Sequence, residues 1–121
     1  MKIAFASQDN IHVNQHFGWC KEFYIYEIKG SEFSFIKSVD SSIEIEDEIE
    51  KLTYKIECCE ECDILYVQQI GPKASRMVQA SGIFPMQASK EGETIEDVLK
   101  QFIKMKDNPP IWMRRLLVNE Q

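Results

Sequence analysis

The stretch "CDILYVQQIGPKASRMVQASG", residues 62–82, decides how the chain folds. Its first half is a near-continuous apolar run through Ile64, Leu65, Tyr66 and Val67. A strand with one face in water alternates apolar and polar residues. An unbroken run marks a strand covered on both faces, as in a parallel sheet. The second half opens with Gly71-Pro72, and proline is tolerated in the first turn of a helix; Gly82 closes it. A central strand running straight into a helix is half of a crossover unit.

The flanking segments fit around that strand. "KIAFAS", residues 2–7, reads as a short buried strand stopped by Gln8, Asp9 and Asn10. "FYIYEI" at 23–28 and "FSFIKSV" at 33–39 are strands joined by a short turn, hence a hairpin. "EIEDEIEKLTYKIECCE", 44–60, repeats Ile45, Ile49, Leu52 and Ile56 at helical spacing. Its carboxylates read as a solvated face with negative charge towards the helix N-terminus. "IFPMQAS", 83–89, is a short strand whose proline restricts it to a sheet edge. "ETIEDVLKQFIKMK", 93–106, predicts a helix with Ile95, Val98, Leu99, Phe102 and Ile103 inward. "DNPP" breaks it before a last amphipathic piece, which docks on the core or on a partner through Ile111, Trp112 and Leu116, with Arg114 and Arg115 suited to an acidic partner. Right-handed crossovers then predict an α/β three-layer fold. It has a mixed five-stranded sheet in the order 3-2-1-4-5, strands 1, 4 and 5 parallel and strand 2 reversed, with helices on its faces. Residues 1–106 form the domain and 107–121 are its C-terminal tail.

At 121 residues, with 44% hydrophobic and 28% charged residues, the chain suits one globular domain. No apolar stretch is long enough to span a bilayer, and polar residues interrupt the start too early for a signal core. The expected location is therefore the cytoplasm. A net charge of −6 argues against a nucleic-acid or membrane-binding surface, each of which needs a basic face. Cys20, Cys58, Cys59 and Cys62 are too few and too bunched for a disulfide scaffold.

The connection from the first strand to the second, about Gln8 to Glu22, is longer than compact domains usually tolerate without a functional reason. It contains "HVNQHFGWC", residues 12–20. It leaves the carboxyl edge of the sheet beside the fourth strand, where adjacent strands connect in opposite directions and ligands settle in open α/β sheets. The helix starting at Gly71 adds free N–H groups there, with Lys73 and Arg76 in its first turns. The expectation is a small electropositive pocket on an acidic protein. His12 and His16 have the i,i+4 spacing that brings two imidazoles to one metal if the loop is helical. Gly18 indicates a close backbone approach or a positive φ. Cys20 stands near enough to share the ligand. Cys59 and Cys62 have CxxC spacing but fall at the amino end of the fourth strand. Redox thiols use the opposite setting, a helix N-terminus.

With "MKIAFAS", "HVNQHFG", "CDILYVQQIG", "ASGIFPMQ" and "NPPIWMRRLL" in place, the chain resembles the nitrogenase cofactor-carrier family of NifX and NifY type, also found as a domain at the end of some NifB chains. The tail together with "HFG" points to the NifX branch. The resemblance implies a ribonuclease H-like fold. It also implies a non-catalytic carrier that binds an iron–sulfur cofactor precursor (the NifB product) or the iron-molybdenum cofactor, with NifB- and NifEN-type assembly proteins as partners. The histidine of "HFG" maps onto His16, the metal ligand, followed by Phe17 and Gly18. The resemblance assigns Cys20 no such role. A ribonuclease-type active site needs a carboxylate on the first strand for its two metal ions, and "KIAFAS" has none. The competing reading is a metal- or partner-binding regulatory domain of the same fold outside nitrogenase assembly.

Overall fold

A computed structural model describes residues 1–118. The strands are β1 (Lys2–Ala6), β2 (Glu22–Lys29), β3 (Glu32–Asp40), β4 (Ile64–Val67) and β5 (Phe84–Gln87). The helices are α1 (Glu48–Cys58), α2 (Pro72–Ala80), α3 (Ile95–Met105) and α4 (Ile111–Val118). One five-stranded sheet runs β3-β2-β1-β4-β5, the predicted order. β1 is antiparallel to β2 and parallel to β4, and β4 is parallel to β5. The β2–β3 hairpin turns through Gly30, whose φ of +60° lies where an L side chain is strained.

Both faces of the central strands are buried, which is why β4 reads as an unbroken apolar run. Ala4, Ala6, Leu65 and Val67 pack under α1 and α2 with Leu52, Ile56, Ala74 and Val78. Ile3, Phe5, Ile64 and Tyr66 face the other way, onto Val98, Leu99 and Phe102 of α3 and Met113 of α4. Pro85 sits in the edge strand β5, where its missing N–H breaks no ladder.

Three details differ from the sequence expectation. α1 starts at Glu48 because Asp47 caps it, accepting a hydrogen bond from the Glu50 N–H at 2.9 Å. Ile45 therefore lies outside the helix and Ile49 is exposed, while Lys55 joins Leu52 and Ile56 on the buried face. β4 is shorter than its apolar run, since Gln68 and Gln69 pair with the opening loop instead. In the tail, Ile111 is 73% exposed and docks nothing; the anchor is Met113, fully buried, flanked by Trp112, which stacks on Phe84 at 4.6 Å, and by Leu116. Among the described residues no helix is long and apolar enough to cross a membrane.

Candidate functional site

The opening loop is built as a strap pinned on both flanks. It begins with a turn in which Asn10 takes a positive φ, tolerable for asparagine. The Asp9 carboxylate organises this turn, accepting from the backbone N–H groups of Ile11 and His12 and meeting the His12 ring at 2.8 Å. The chain then runs extended. On one side the Val13 N–H bonds to the Glu93 carbonyl and the Ile95 N–H to the Ile11 carbonyl. On the other, the Gln68 N–H bonds to the Gln15 carbonyl and the Phe17 N–H to the Gln69 carbonyl. His12 bridges to Thr94 and His16 to Gln69, so the two histidines serve opposite borders of the strap. The condition for the two imidazoles to share a metal, a helical loop, is not met, because these backbone bonds keep residues 12–16 extended.

The hydrogen bonds from the His12 backbone and then its ring hold the Asp9 carboxyl well below the usual carboxylate range. A depressed folded pKa stabilises the turn above the unfolded value, about 3.9, and that stabilisation is lost as pH falls below it. Protonation of the Asp9 carboxyl, followed at its own carboxyl carbon, is therefore expected only below about pH 4. Asp9→Asn should abolish that acid transition. A midpoint in the ordinary range would show that the turn does not hold the carboxylate.

After the strap, residues Phe17–Trp19 form a single 3-10 turn. Phe17 is buried against Phe23 and fastens this turn to the core. His16, just before it, is exposed, and its ring stacks on that of Trp19 at 5.7 Å between centroids and 22° between planes. Trp19, 75% exposed, thus orients the imidazole rather than filling the core.

Beneath His16 lies a pocket of about 350 Å³ at the carboxyl edge of β4. Its floor is the Gln69-Ile70-Gly71 turn and the first turn of α2; its far wall is Glu48, Lys51 and Leu52 of α1. The Ile70 N–H is tied to the Gln87 side chain at 2.9 Å, which steadies the turn. No side chain caps α2, and Pro72 has no N–H, so the Lys73 and Ala74 N–H groups remain as donors at the positive end of the helix. Lys73 pairs with Glu48 at 3.8 Å, whereas Lys51 has no carboxylate within ion-pair reach among the described residues.

The two glycines of this pocket are not explained by backbone strain. Gly71 has a φ of −71°, and a Cβ there would meet nothing within 4 Å. At Gly18 it would meet only the Lys51 ammonium at 3.9 Å, and φ is not positive. What a side chain would occupy at both positions is the pocket itself.

Of the residues singled out from sequence, the pocket brings together His16, Gly18, Gly71 and Lys73. His12 is outside the lining, bonded to Asp9, and Phe17 is a buried support. Arg76 is exposed on α2 outside the pocket lining. Cys20 is corrected outright. It is fully buried with the α1/α2 core, its thiol donates to the Glu22 carbonyl, and burial raises its pKa. Such a thiol reaches no ligand in the pocket. Lys51, Glu48 and Gln69 were not anticipated. Gln69 had a signal, a polar pair ending an apolar strand; the α1 residues had none, because their place depends on how α1 packs on α2.

Among the described residues no three His, Cys, Asp or Glu side chains surround a common metal position. Cys59 and Cys62 are buried at the amino end of β4, away from the pocket, with pKa values raised by burial, Cys62 to about 12. The native protein should expose one of its four thiols, Cys58, to an aromatic disulfide reagent, with all four reacting after unfolding. Rapid native labelling of Cys59 or Cys62 would contradict the packing of this core.

Residues 1–105 match the family model described as dinitrogenase iron-molybdenum cofactor. A protein named NifX from Herbaspirillum seropedicae is 35% identical over 124 aligned residues, covering all of this chain and 84% of that protein. The NifX of Azotobacter vinelandii is 29% identical, covering 97% of this chain and 75% of its own. The NifY of the same organism is 26% identical, with 97% of this chain aligned to 48% of that protein. Among solved structures, the crystal structure of PH0822 superposes with a TM-score of 0.65 at 20% identity, covering 86% of this chain and 91% of that one, which supports the fold.

Proposed function

Since this chain belongs to the dinitrogenase iron-molybdenum cofactor family, on its NifX branch, we propose that it is a non-catalytic carrier in nitrogenase cofactor assembly. Its cargo is an iron–sulfur cofactor precursor of the NifB-product kind or the finished iron-molybdenum cofactor, held transiently in the pocket under His16. The observation that carries this reading is the exposed imidazole set over an uncapped helix N-terminus, with Lys51 and Lys73 beside it.

That donor set suits an anionic iron cluster which must later be surrendered. Imidazole is a good ligand for iron, and N–H groups and ammonium ions attract the cluster's charge without bonding to the metal. Four thiolates would hold a cluster as a permanent group. Here the three most buried thiols are kept protonated in the core. Gly18 and Gly71 leave the backbone open to a bulky guest.

In this reading His16 is the metal ligand. Gly18, Gly71 and Lys73 contact the cargo, Gln69 and Lys51 complete the wall, and Arg76 adds charge from farther along α2. His12, Phe17 and Cys20 support the loop without touching the cargo. Residues 1–106 are the carrying unit and 107–121 its tail, and we read the domain as ribonuclease H-like, a reading the sheet order supports. The protein works in the cytoplasm, receiving from and delivering to assembly proteins of the NifB and NifEN type. Anaerobic titration with isolated cofactor tests this. Protein made without the assembly pathway should be colourless and take up cluster absorbance saturably, then lose it to an acceptor. No uptake, or a full complement of iron in the starting preparation, refutes transient carriage.

A further inference from the structure

Lys55 is an unusual residue for the inner face of α1. It is 4% exposed, and its ammonium donates to two backbone carbonyls, Cys20 at 2.5 Å and Ser41 at 2.8 Å. No carboxylate is within ion-pair reach among the described residues. An ammonium has three protons to give, so one is left over. Buried charges are as a rule matched by an opposite charge, because desolvating a lone ion is expensive. Burial accordingly lowers the Lys55 pKa.

The missing counter-charge has a place to sit. A pocket of about 270 Å³ opens beside Lys55, between the 3-10 turn, the segment after β3 and the start of α1. Lys21 and Lys51 line it as well, and neither pairs with a carboxylate among the described residues. One acid, Glu44, shares the lining; Asp40, just before Ser41 and outside the lining, acts on Lys55 only from beyond ion-pair distance and spends an oxygen on the Ser42 N–H and hydroxyl. Three cations against one carboxylate stand out on a chain of net charge −6.

We propose that this second pocket is a binding site for a small oxyanion of phosphate or sulfate size, gripped by Lys21, Lys51 and Lys55. Lysine suits this role as a point-charge donor to tetrahedral oxyanions. Lys51 lines both pockets, so the oxyanion shares one cation with the space under His16. The site rests on Lys55 and its surroundings, and it stands whether or not the neighbouring pocket carries a cluster.

The test is titration of the isotope-labelled protein with inorganic phosphate at constant ionic strength, with chloride as the balancing salt. Saturable shifts are expected at the amides of Lys21, Ser41 and Ser42, along with a higher melting midpoint in phosphate than in chloride. Lys21→Ala and Lys51→Ala should each weaken binding about tenfold or more, the effect of losing one charge-assisted contact. Lys55→Met should lose the phosphate-dependent rise in midpoint; should it fail to fold, the two surface variants decide alone. Shifts that chloride reproduces, or unchanged phosphate affinity in both surface variants, overturn the site.

Discussion

Replacing His16 with alanine is expected to abolish cluster binding and leave the melting curve almost unchanged. The side chain is exposed and stacks on Trp19, which is itself on the surface. Its backbone bonds to the β4 edge survive the substitution, so stability should change by no more than about 1 kcal/mol. Changes to outer-shell partners already weaken metal sites about 10–100-fold. Loss of the one exposed imidazole over the pocket should exceed the upper end of that range. Lys51 and Lys73 cannot compensate, since an ammonium attracts charge but gives iron no lone pair. Trp19→Ala should weaken binding less, by freeing the ring it steadies. Titration of each variant with isolated cofactor, beside its melting curve, checks this. Wild-type affinity in His16→Ala would remove the metal ligand from the reading.

Met113→Ala should produce the opposite pattern, with stability lost and binding retained. Met113 is fully buried in the core formed by Ile3, Phe5, Tyr66 and Phe102, and it is the buried residue of α4. Emptying such a position costs about 2–5 kcal/mol, through lost transfer energy and the cavity left behind. For a domain of this size a 3 kcal/mol loss lowers the melting midpoint by roughly 10 °C. The pocket lies on the other face of the sheet, under α1 and α2, and should keep its geometry below the transition. Calorimetry and cluster titration on the same preparation separate the two effects. A midpoint within a degree or two of wild type would mean that α4 adds nothing to the core.

The sheet could be read from the chain because its signals are local. Ile64–Val67 is apolar on both faces and must be central; Pro85 must be at an edge; Gly71-Pro72 must open a helix. The site was legible in part, for the same reason. A long loop at the carboxyl edge beside a helix start is a topological inference, and His16, Gly18, Gly71 and Lys73 followed from it. The rest depended on tertiary detail. Whether His12 and His16 could pair turned on the loop being helical, which spacing in sequence does not decide. Here, bonds to Glu93 and Gln69, far along the chain, hold it straight. Cys20 was placed near the ligand by its separation from His16, but the turn at Phe17–Trp19 rolls it into the core. Lys51 and Lys55 were hidden because a lysine in a helix carries no mark of which face it will occupy.

The strap that holds His16 bears on how fast cargo can leave. A ligand on a free loop is withdrawn by loop motion, and release then runs at the rate of opening. The strap is bonded to the Gln68–Gln69 segment on one border and to the residues leading into α3 on the other. Lifting it would break four backbone hydrogen bonds at once, on both borders of the strap. For a cluster held as proposed through His16, departure would then be a substitution at the metal, an incoming donor taking the place of the imidazole while the strap stays bonded. The pace of transfer would be set by the acceptor's ligands and their concentration, so a carrier built this way would hold its cargo in isolation and give it up on meeting a stronger donor.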